Sequence, residues 1–274
     1  MSENYRLVAL DMDGTLLNTA HQITPYTREV LHRAALAGKV TALCTGRCLS
    51  ELWKHLELLP DVGYVICENG ACVFDIRRGR AVRRIAIPEG EIERILALST
   101  RYDLCRQMFS GDQSYIECAD AGQLYRWHIQ EFAEVFTAGS IFVEDLETLW
   151  RRHLGGVEKI NLYFADEGDR RDFLESMRGR DLRFFDSIGL GLEISPAGTS
   201  KAEGLRALCG LLDIPIEQAM AVGDGGNDLE IMGAAGLSVA MGNAIEAVTA
   251  AADVTTDDCD HDGAAKAIER FMAV

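Results

Sequence analysis

Apolar residues in this chain fall into two arrangements. In the first, short continuous runs stop abruptly at small or polar residues: LVAL before Asp11, VTALC before Thr45-Gly46-Arg47, YVIC before Glu68-Asn69-Gly70, AMAV before Gly223-Asp224, and LSVAM before Gly242-Asn243. Such runs suit strands buried on both faces, the habit of a parallel sheet. In the second, apolar positions recur at helical spacing. Thr24-Pro25 reads as an N-cap and first-turn proline, Val30, Leu31, Ala34 and Ala35 follow, and Gly38 is the stop. SKAEGLRALCGLL opens with Ser200 and Glu203, a capping-box pattern, and continues through Leu205, Leu208 and Leu212. Alternating strands and helices predict an α/β fold with a doubly wound, Rossmann-like parallel sheet. Ligands of such sheets bind beyond the carboxyl ends of the strands, so the polar termini above would gather along one rim.

The middle of the chain breaks this rhythm. Between about residues 85 and 190 the pattern reads as a helix (PEGEIERILALST), short strands (RQMFS, SYIEC), a helix (LYRWHIQEFAEVF), a strand (KINLYF), a helix (RRDFLESM) and strands (LRFFDS, GLEIS). None of these ends in a comparable polar constellation. The pattern predicts an inserted α+β domain over 85–190 that interrupts a core made of 1–84 and 191–274, with the chain back in the core near Glu193.

Composition narrows the function classes. At 274 residues the chain exceeds the common single-domain size, and 48% hydrophobic with 26% charged residues is the balance of a globular protein. No run approaches the ~20 apolar residues of a membrane span, and the N-terminus lacks the basic and apolar regions of a signal peptide, so a cytoplasmic location is expected. A net charge of −16 argues against nucleic acid or an anionic membrane as partner. An anionic small molecule stays open, provided the site supplies local positive charge; no partner protein is implied. The eight cysteines form no CxxC pair and read as reduced, partly buried thiols, Cys44 among them. The histidines show no ligand spacing. RRGRAVRR (77–84) reads as a solvated hairpin, and Tyr125, Trp127 and Phe132 as core of the insertion. Arg106, Tyr115 and Lys159 are open between substrate contact and a packing or surface role.

The acidic residues carry the chemistry. In extended chain residues i and i+2 face the same way, so Asp11 and Asp13 can start on one side of the strand. Gly14 then removes a Cβ and lets backbone N–H groups approach an anion. Two acids beside an anion repel each other and the ligand, a conflict that a divalent cation resolves, and an oxygen-only ligand set suits Mg²⁺. Asp224 ends another apolar run and Asp228 opens the next helix; the two acidic strand ends, on adjacent strands, could complete one Mg²⁺ site. Thr45 and the N–H of Gly46 could donate to an oxyanion. Lys201 sits in the first turn of a capped helix, where its charge and the orphan N–H groups together favour an anion.

DMDGT (11–15), CTGR (44–47), SK (200–201) and GDGGND (223–228), in this order, resemble the four signature motifs of the haloacid dehalogenase-like (HAD) phosphatases. The insertion between the second and third motifs resembles the α+β (C2-type) cap of the Cof-type branch, as do ENGA (68–71) and the tail from Met241 to Phe271. The resemblance implies that Asp11 is a nucleophile forming an aspartyl-phosphate and that Asp13 protonates the leaving alcohol and then activates water. It implies that Asp11, the backbone carbonyl of Asp13 and Asp224 hold Mg²⁺, with Asp228 beside or behind them. Thr45 and Lys201 would fix the phosphoryl oxygens, and Asn227 would orient the phosphate or Lys201. Gly225 departs from the Ser or Ala of many relatives, which removes any side-chain hydroxyl there. The expected activity is Mg²⁺-dependent hydrolysis of a small phosphorylated metabolite, sugar phosphates among the candidates. A phosphomutase, and a phosphate-metabolite-binding regulator without turnover, are the alternatives; an intact Asp11 and Asp13 speak against the regulator, since binding alone needs no nucleophile paired with an acid.

Overall fold

The apolar runs become strands wherever they end in those polar residues. β1 (Leu7–Leu10), β2 (Val40–Cys44) and β3 (Tyr64–Cys67) are followed by a hairpin of β4 (Cys72–Asp75) and β5 (Arg80–Arg84). β6 (Leu104–Ser110), β7 (Gln113–Glu117), β8 (Ser140–Val143), β9 (Lys159–Phe164), β10 (Leu182–Asp186) and β11 (Gly191–Pro196) come next. β12 (Ala219–Gly223), β13 (Leu237–Ala240) and β14 (Val254–Thr255) complete the set. This computed structural model describes residues 5–118 and 121–274. It divides into two compact units: one runs to Arg47 and includes Trp53–Arg84 and Thr199–Val274, and the other contains Cys48–Leu52 and Ile85–Gly198.

The first unit is built on an eight-stranded sheet in the order β14-β13-β12-β1-β2-β3-β4-β5. Its strands are parallel from β14 to β3, and the hairpin closes one edge antiparallel. All four residues of β1 are buried, as continuous apolar runs demand. Leu10 pairs with Val222 on one side and with Leu43 on the other. That register brings the chain ends carrying Asp11, Asp224 and Thr45 out of the sheet side by side. Helix Lys201–Leu212 covers one face, with Leu205 and Leu208 fully buried against Leu7, Ala9, Ala42 and Ile66. Burying each leucine contributes about 1.5–3 kcal/mol, which anchors the helix whose first residue is Lys201.

Local capping follows the residue types. Helix Pro25–Leu36 starts where Thr24 Oγ1 accepts from the Thr27 N–H at 3.0 Å, and Gly38 turns left-handed just past its end. At the helix of Lys201, Ser200 Oγ accepts from the Glu203 N–H at 3.3 Å. The reciprocal half of the expected capping box is absent from these contacts: the Glu203 carboxylate pairs with Arg206 at 2.6 Å instead.

The second unit holds a six-stranded sheet in the order β10-β11-β9-β6-β7-β8. Its pairs are antiparallel except β7 with β8. Strand alternation gives this sheet two unlike faces. Ile160, Leu162 and Phe164 of β9 pack with Ile92, Ile95, Trp150 and Phe173 from helices, whereas Tyr163 packs on the opposite face with Cys105, Ile116, Trp127 and Phe136.

Four expectations need correction. The chain does not rejoin the core at residue 191, because β11 pairs with both β10 and β9; the return falls at Thr199. The short segment Cys48–Leu52 goes with the insertion, held by the Ser50 N–H on the Asp112 carbonyl at 3.0 Å and by Ser50 Oγ on the Gly139 carbonyl at 2.6 Å. The helix read from LYRWHIQEFAEVF is broken into 3₁₀ turns at Ala121–Trp127 and Gln130–Phe132 before an α-helix over Ala133–Gly139, with His128 left-handed at the break. The break turns Leu124, Trp127 and Ile129 onto the sheet together, while Tyr125 is 71% exposed and is not core.

Candidate active site

Asp11 and Asp13 both lie beyond the end of β1, so the two-residue periodicity of a strand does not govern them. Asp11 is buried, and its Oδ1 accepts from Lys201 Nζ at 2.6 Å. Asp13 turns outward, 46% exposed at its side chain, and is gripped by both arms of Arg47: Nε on Oδ2 at 2.8 Å and Nη2 on Oδ1 at 2.5 Å. One pair of carboxylates therefore has two different environments.

Lys201 is the hub. Its side chain is 0% exposed, and its ammonium also donates to Asp228 Oδ1 at 2.7 Å. Burial alone would push its pKa down, but the Asp11 and Asp228 carboxylates overcome this and raise it, so the ammonium keeps its proton. Asp228 spends its other oxygen, Oδ2, on the N–H groups of Asp224 and Gly225, each at 3.0 Å. It thereby closes the loop that presents Asp224. Asp224 Oδ1 accepts from Thr15 Oγ1 at 2.7 Å.

Gly14 carries a second constraint besides the one read in the sequence. With φ of +79°, it passes so close to Asp224 that a Cβ would sit 2.4 Å from Oδ2. Its glycine character is required by the neighbouring carboxylate and by the turn. Gly70, at φ +90°, similarly lets the chain after β3 pass the Ser200 carbonyl, which a Cβ would meet at 2.0 Å.

The second rim segment joins through backbone and amide groups. Thr45, buried after β2, donates its N–H to the Ile66 carbonyl at 2.8 Å and accepts the Asn69 N–H on its own carbonyl at 3.1 Å. Its hydroxyl oxygen accepts from the Arg47 N–H at 3.1 Å, which leaves the hydroxyl proton to be directed elsewhere. Gly46 occupies the bend between Thr45 and Arg47. Asn227 Nδ2 donates to Asn69 Oδ1 at 3.2 Å, so the amide is held by Asn69. Asn243, following β13, donates to the Gly14 carbonyl at 2.8 Å. Burial raises the Cys44 thiol pKa, as expected of a packing residue.

Asp11, Asp224 and Asp228 offer oxygens that all lie within 4.8 Å of one another. Three carboxylates and the Lys201 ammonium sum to −2 when ionised, which one divalent cation would balance. The strain of that charge is visible: burial first, then repulsion from Asp228 and Asp224, raises the Asp11 pKa against the pull of Lys201. Burial also raises that of Asp224. The residues fit a hard, oxygen-seeking dication.

Three residues of the network escaped the sequence reading as individuals: Thr15, Arg47 and Asn69. Thr15 and Arg47 lie inside the motifs DMDGT and CTGR, and Asn69 lies in the polar stop after YVIC. Glu68 and Asn69 are both left-handed, at φ 54° and 52°, and both are buried. A non-glycine pair held in that region is the kind of local strain that accompanies functional sites.

Residues 8–268 match the family model described as haloacid dehalogenase-like hydrolase. The chain belongs to this family, and its activity is that of a phosphatase. It is 30% identical to an HMP-PP phosphatase of Serratia proteamaculans (strain 568), over 88% of this chain and 85% of that protein. It is 28% identical to the 5-amino-6-(5-phospho-D-ribitylamino)uracil phosphatase YcsE of Bacillus subtilis (strain 168), over 97% and 96% of the two chains. The structure of a haloacid dehalogenase-like hydrolase from B. subtilis superposes with a TM-score of 0.86 at 26% identity, covering 96% of this chain and 99% of that one. Among the described residues no helix is long and apolar enough to cross a membrane.

Proposed function

We propose that the chain is a Mg²⁺-dependent phosphomonoesterase acting on a small phosphorylated metabolite in the cytoplasm, through an aspartyl-phosphate on Asp11. The observation that carries this reading is the buried ammonium of Lys201 held between Asp11 and Asp228, beside Asp224. A nucleophilic carboxylate needs a water-poor setting in which an incoming phosphoryl group is not repelled, and the buried Lys201 ammonium together with a divalent cation held by the carboxylates would supply one. The relatives named above, an HMP-PP phosphatase and a 5-amino-6-(5-phospho-D-ribitylamino)uracil phosphatase, support a small phosphorylated substrate.

In the first step an Asp11 oxygen attacks phosphorus, the bond to the leaving oxygen breaks, and Asp13 gives that oxygen its proton. In the second, Asp13 takes a proton from water, the water oxygen attacks phosphorus, and inorganic phosphate leaves as the Asp11 carboxylate is restored. Lys201, Thr45 and the N–H of Gly46 would hold the phosphoryl oxygens, and Asn227, fixed by Asn69, would orient them. Asp13 can serve only once Arg47 loosens its fork, so Arg47 positions the acid between turnovers. Asp11, Asp224 and the Asp13 carbonyl would hold Mg²⁺, with Asp228 bracing Asp224 from behind. When bound, the ion supplies positive charge beside the transferring phosphoryl group and offsets the carboxylates. The insertion would choose the leaving group.

The test is phosphate release from sugar phosphates, nucleotides, and pyridoxal and flavin phosphates, with Mg²⁺ and with excess chelator. Mg²⁺-dependent release is expected. Transfer of the phosphoryl group within the substrate, without accumulation of inorganic phosphate, would replace the hydrolase with a mutase. Release undiminished by chelator would refute the metal.

A further inference from the structure

The segment that leaves β1 carries Asp13 and then turns on Gly14, at φ +79°. Glycine there admits the close approach to Asp224, but it also leaves the backbone freer to rotate than any other residue. Both neighbours of Gly14 have work in the site. Asp13 serves through its carboxyl and its carbonyl, and the Thr15 hydroxyl donates to Asp224 at 2.7 Å. Within the segment, the N–H groups of Thr15 and Leu17 share the Met12 carbonyl, at 3.3 and 2.8 Å. The Gly14 carbonyl is held from outside it.

The group that holds it is Asn243, 229 residues further along the chain. Asn243 follows β13, which pairs with β12 and so leaves the sheet beside the strand end of Asp224. Its Nδ2 donates to the Gly14 carbonyl at 2.8 Å, and its Oδ1 accepts from the Cys259 N–H at 2.9 Å. The second bond defines the amide's orientation: only the oxygen can accept, so the nitrogen faces Gly14. Gly242 brings Asn243 to this position. Its N–H donates to the Asp257 carbonyl at 3.0 Å, and a Cβ there would lie 2.8 Å from the Asp258 nitrogen. The turn around Cys259 also grips the far part of the segment. Asp260 Oδ1 accepts from the N–H and the hydroxyl of Thr19 at 3.0 and 2.8 Å, and Asp262 Oδ1 accepts from the Thr24 hydroxyl at 2.5 Å.

We propose that Asn243 is a positioning residue of the phosphatase site: it clamps the Gly14 peptide and thereby fixes where the Asp13 carboxyl and carbonyl point. The inference rests on the phosphatase reading above. Asn243 acts through Gly14 and touches neither substrate nor metal. Gly14 adjoins Asp13, whereas Thr19 lies beyond the turn closed on Met12, so the Asp260 and Asp262 bonds contribute stability alone. Asn243 is exposed, so water can reach both backbone groups when its side chain is removed, and the fold survives the test.

The experiment compares the wild type with Asn243→Ala, Asn243→Asp and Asp260→Ala. Asn243→Asp keeps the acceptor for Cys259 and loses only the donor to Gly14. Asp260→Ala is the control, since it removes two bonds from the same segment. The readouts are amide exchange in chelator, Mg²⁺ affinity from thermal shift across a Mg²⁺ titration, and kcat and KM for the best phosphate ester. In Asn243→Ala, exchange at Thr15 and Leu17 should quicken and the Mg²⁺ dissociation constant should rise about two- to tenfold. Its kcat should fall by a similar factor while KM holds. Asn243→Asp should repeat the changes in exchange and kcat. Asp260→Ala should quicken exchange at Thr19 and lower Tm, with Mg²⁺ affinity and kcat at wild-type values. Wild-type exchange or wild-type kcat in Asn243→Ala overturns the proposal, even if Tm falls as in the control. Wild-type behaviour of Asn243→Asp places the effect on the Cys259 bond and overturns it as well. A wild type that neither binds Mg²⁺ nor releases phosphate refutes the phosphatase reading instead. The clamp is then judged by exchange alone: faster exchange at Thr15 and Leu17 in Asn243→Ala supports it, and unchanged exchange overturns it.

Discussion

Asp11→Asn should make the metal-free protein more stable while abolishing its activity. At an effective dielectric of 20, unit charges interact by about 332/(20r) kcal/mol. Asp224 and Asp228, with oxygens within 4.8 Å, each repel Asp11 by at least about 3.5 kcal/mol, or about 7 together. Lys201, 2.6 Å away, attracts it by about 6 kcal/mol. The pair terms nearly cancel, so the desolvation of a buried carboxylate decides the sign, and it is unfavourable. Asparagine keeps the shape and the acceptor for Lys201 but carries no charge. We expect the variant to gain about 1–3 kcal/mol in chelator at pH 7, a rise of about 2–4 °C in Tm per kcal/mol.

The proton balance gives the same sign. The folded-state pKa of Asp11 lies above its unfolded value, so the folded protein binds the extra proton. Stability in chelator should therefore be greatest below the ordinary carboxylate range and fall as pH rises through the elevated folded pKa. Asp11→Asn should remove that component of the slope. Mg²⁺ should reverse the ranking by stabilising the wild type much more than the variant. Differential scanning fluorimetry from pH 4 to 8, with Mg²⁺ and with chelator, reads all three effects beside phosphate release. A variant less stable than wild type in chelator would refute the electrostatic account, and retained hydrolysis would refute the nucleophile.

Other outcomes follow from single contacts. Arg47→Lys loses the fork on Asp13, a half-exposed pair worth less than about 1 kcal/mol to folding. Tm should therefore hold while kcat falls and its pH profile shifts; an unchanged profile would deny Arg47 its positioning role. Gly70→Ala places a Cβ 2.0 Å from the Ser200 carbonyl at φ +90° and should cost about 2–4 kcal/mol, read by chemical denaturation. Gly79→Ala, also at positive φ but in open space, is the control and should cost about 1 kcal/mol.

Much of this protein is legible without coordinates. Continuous apolar runs broken by polar residues announce buried parallel strands, because only strands covered on both faces need no polar alternation. Asp11, Thr45, Lys201, Asp224 and Asp228 follow from where those runs end and the next helices begin, and the order of their motifs carries the family resemblance. The limits of the insertion were less legible: GLEIS has the pattern of any strand, and only its partners β9 and β10 assign it to the second sheet.

Tertiary structure alone decided how the charges divide. Sequence spacing pairs Asp11 with Asp13, yet side-chain partners separated by 190 and 34 residues send one to a buried lysine and the other to a half-exposed arginine fork. The sequence reads Gly14 as a place where backbone N–H groups can approach an anion, and the fold adds that the Asp224 carboxylate occupies the space of its missing Cβ. The Asn161 amide donates to the Tyr163 hydroxyl on its own strand and to Gln107 Oε1 on the next one, and Gln107 is held in turn by Glu51, 56 residues earlier in the chain. Local sequence sets periodicity, caps and chain ends, since those depend on neighbours along the backbone. Which carboxylate is buried and which proton is held depend on groups that meet only once each unit has folded.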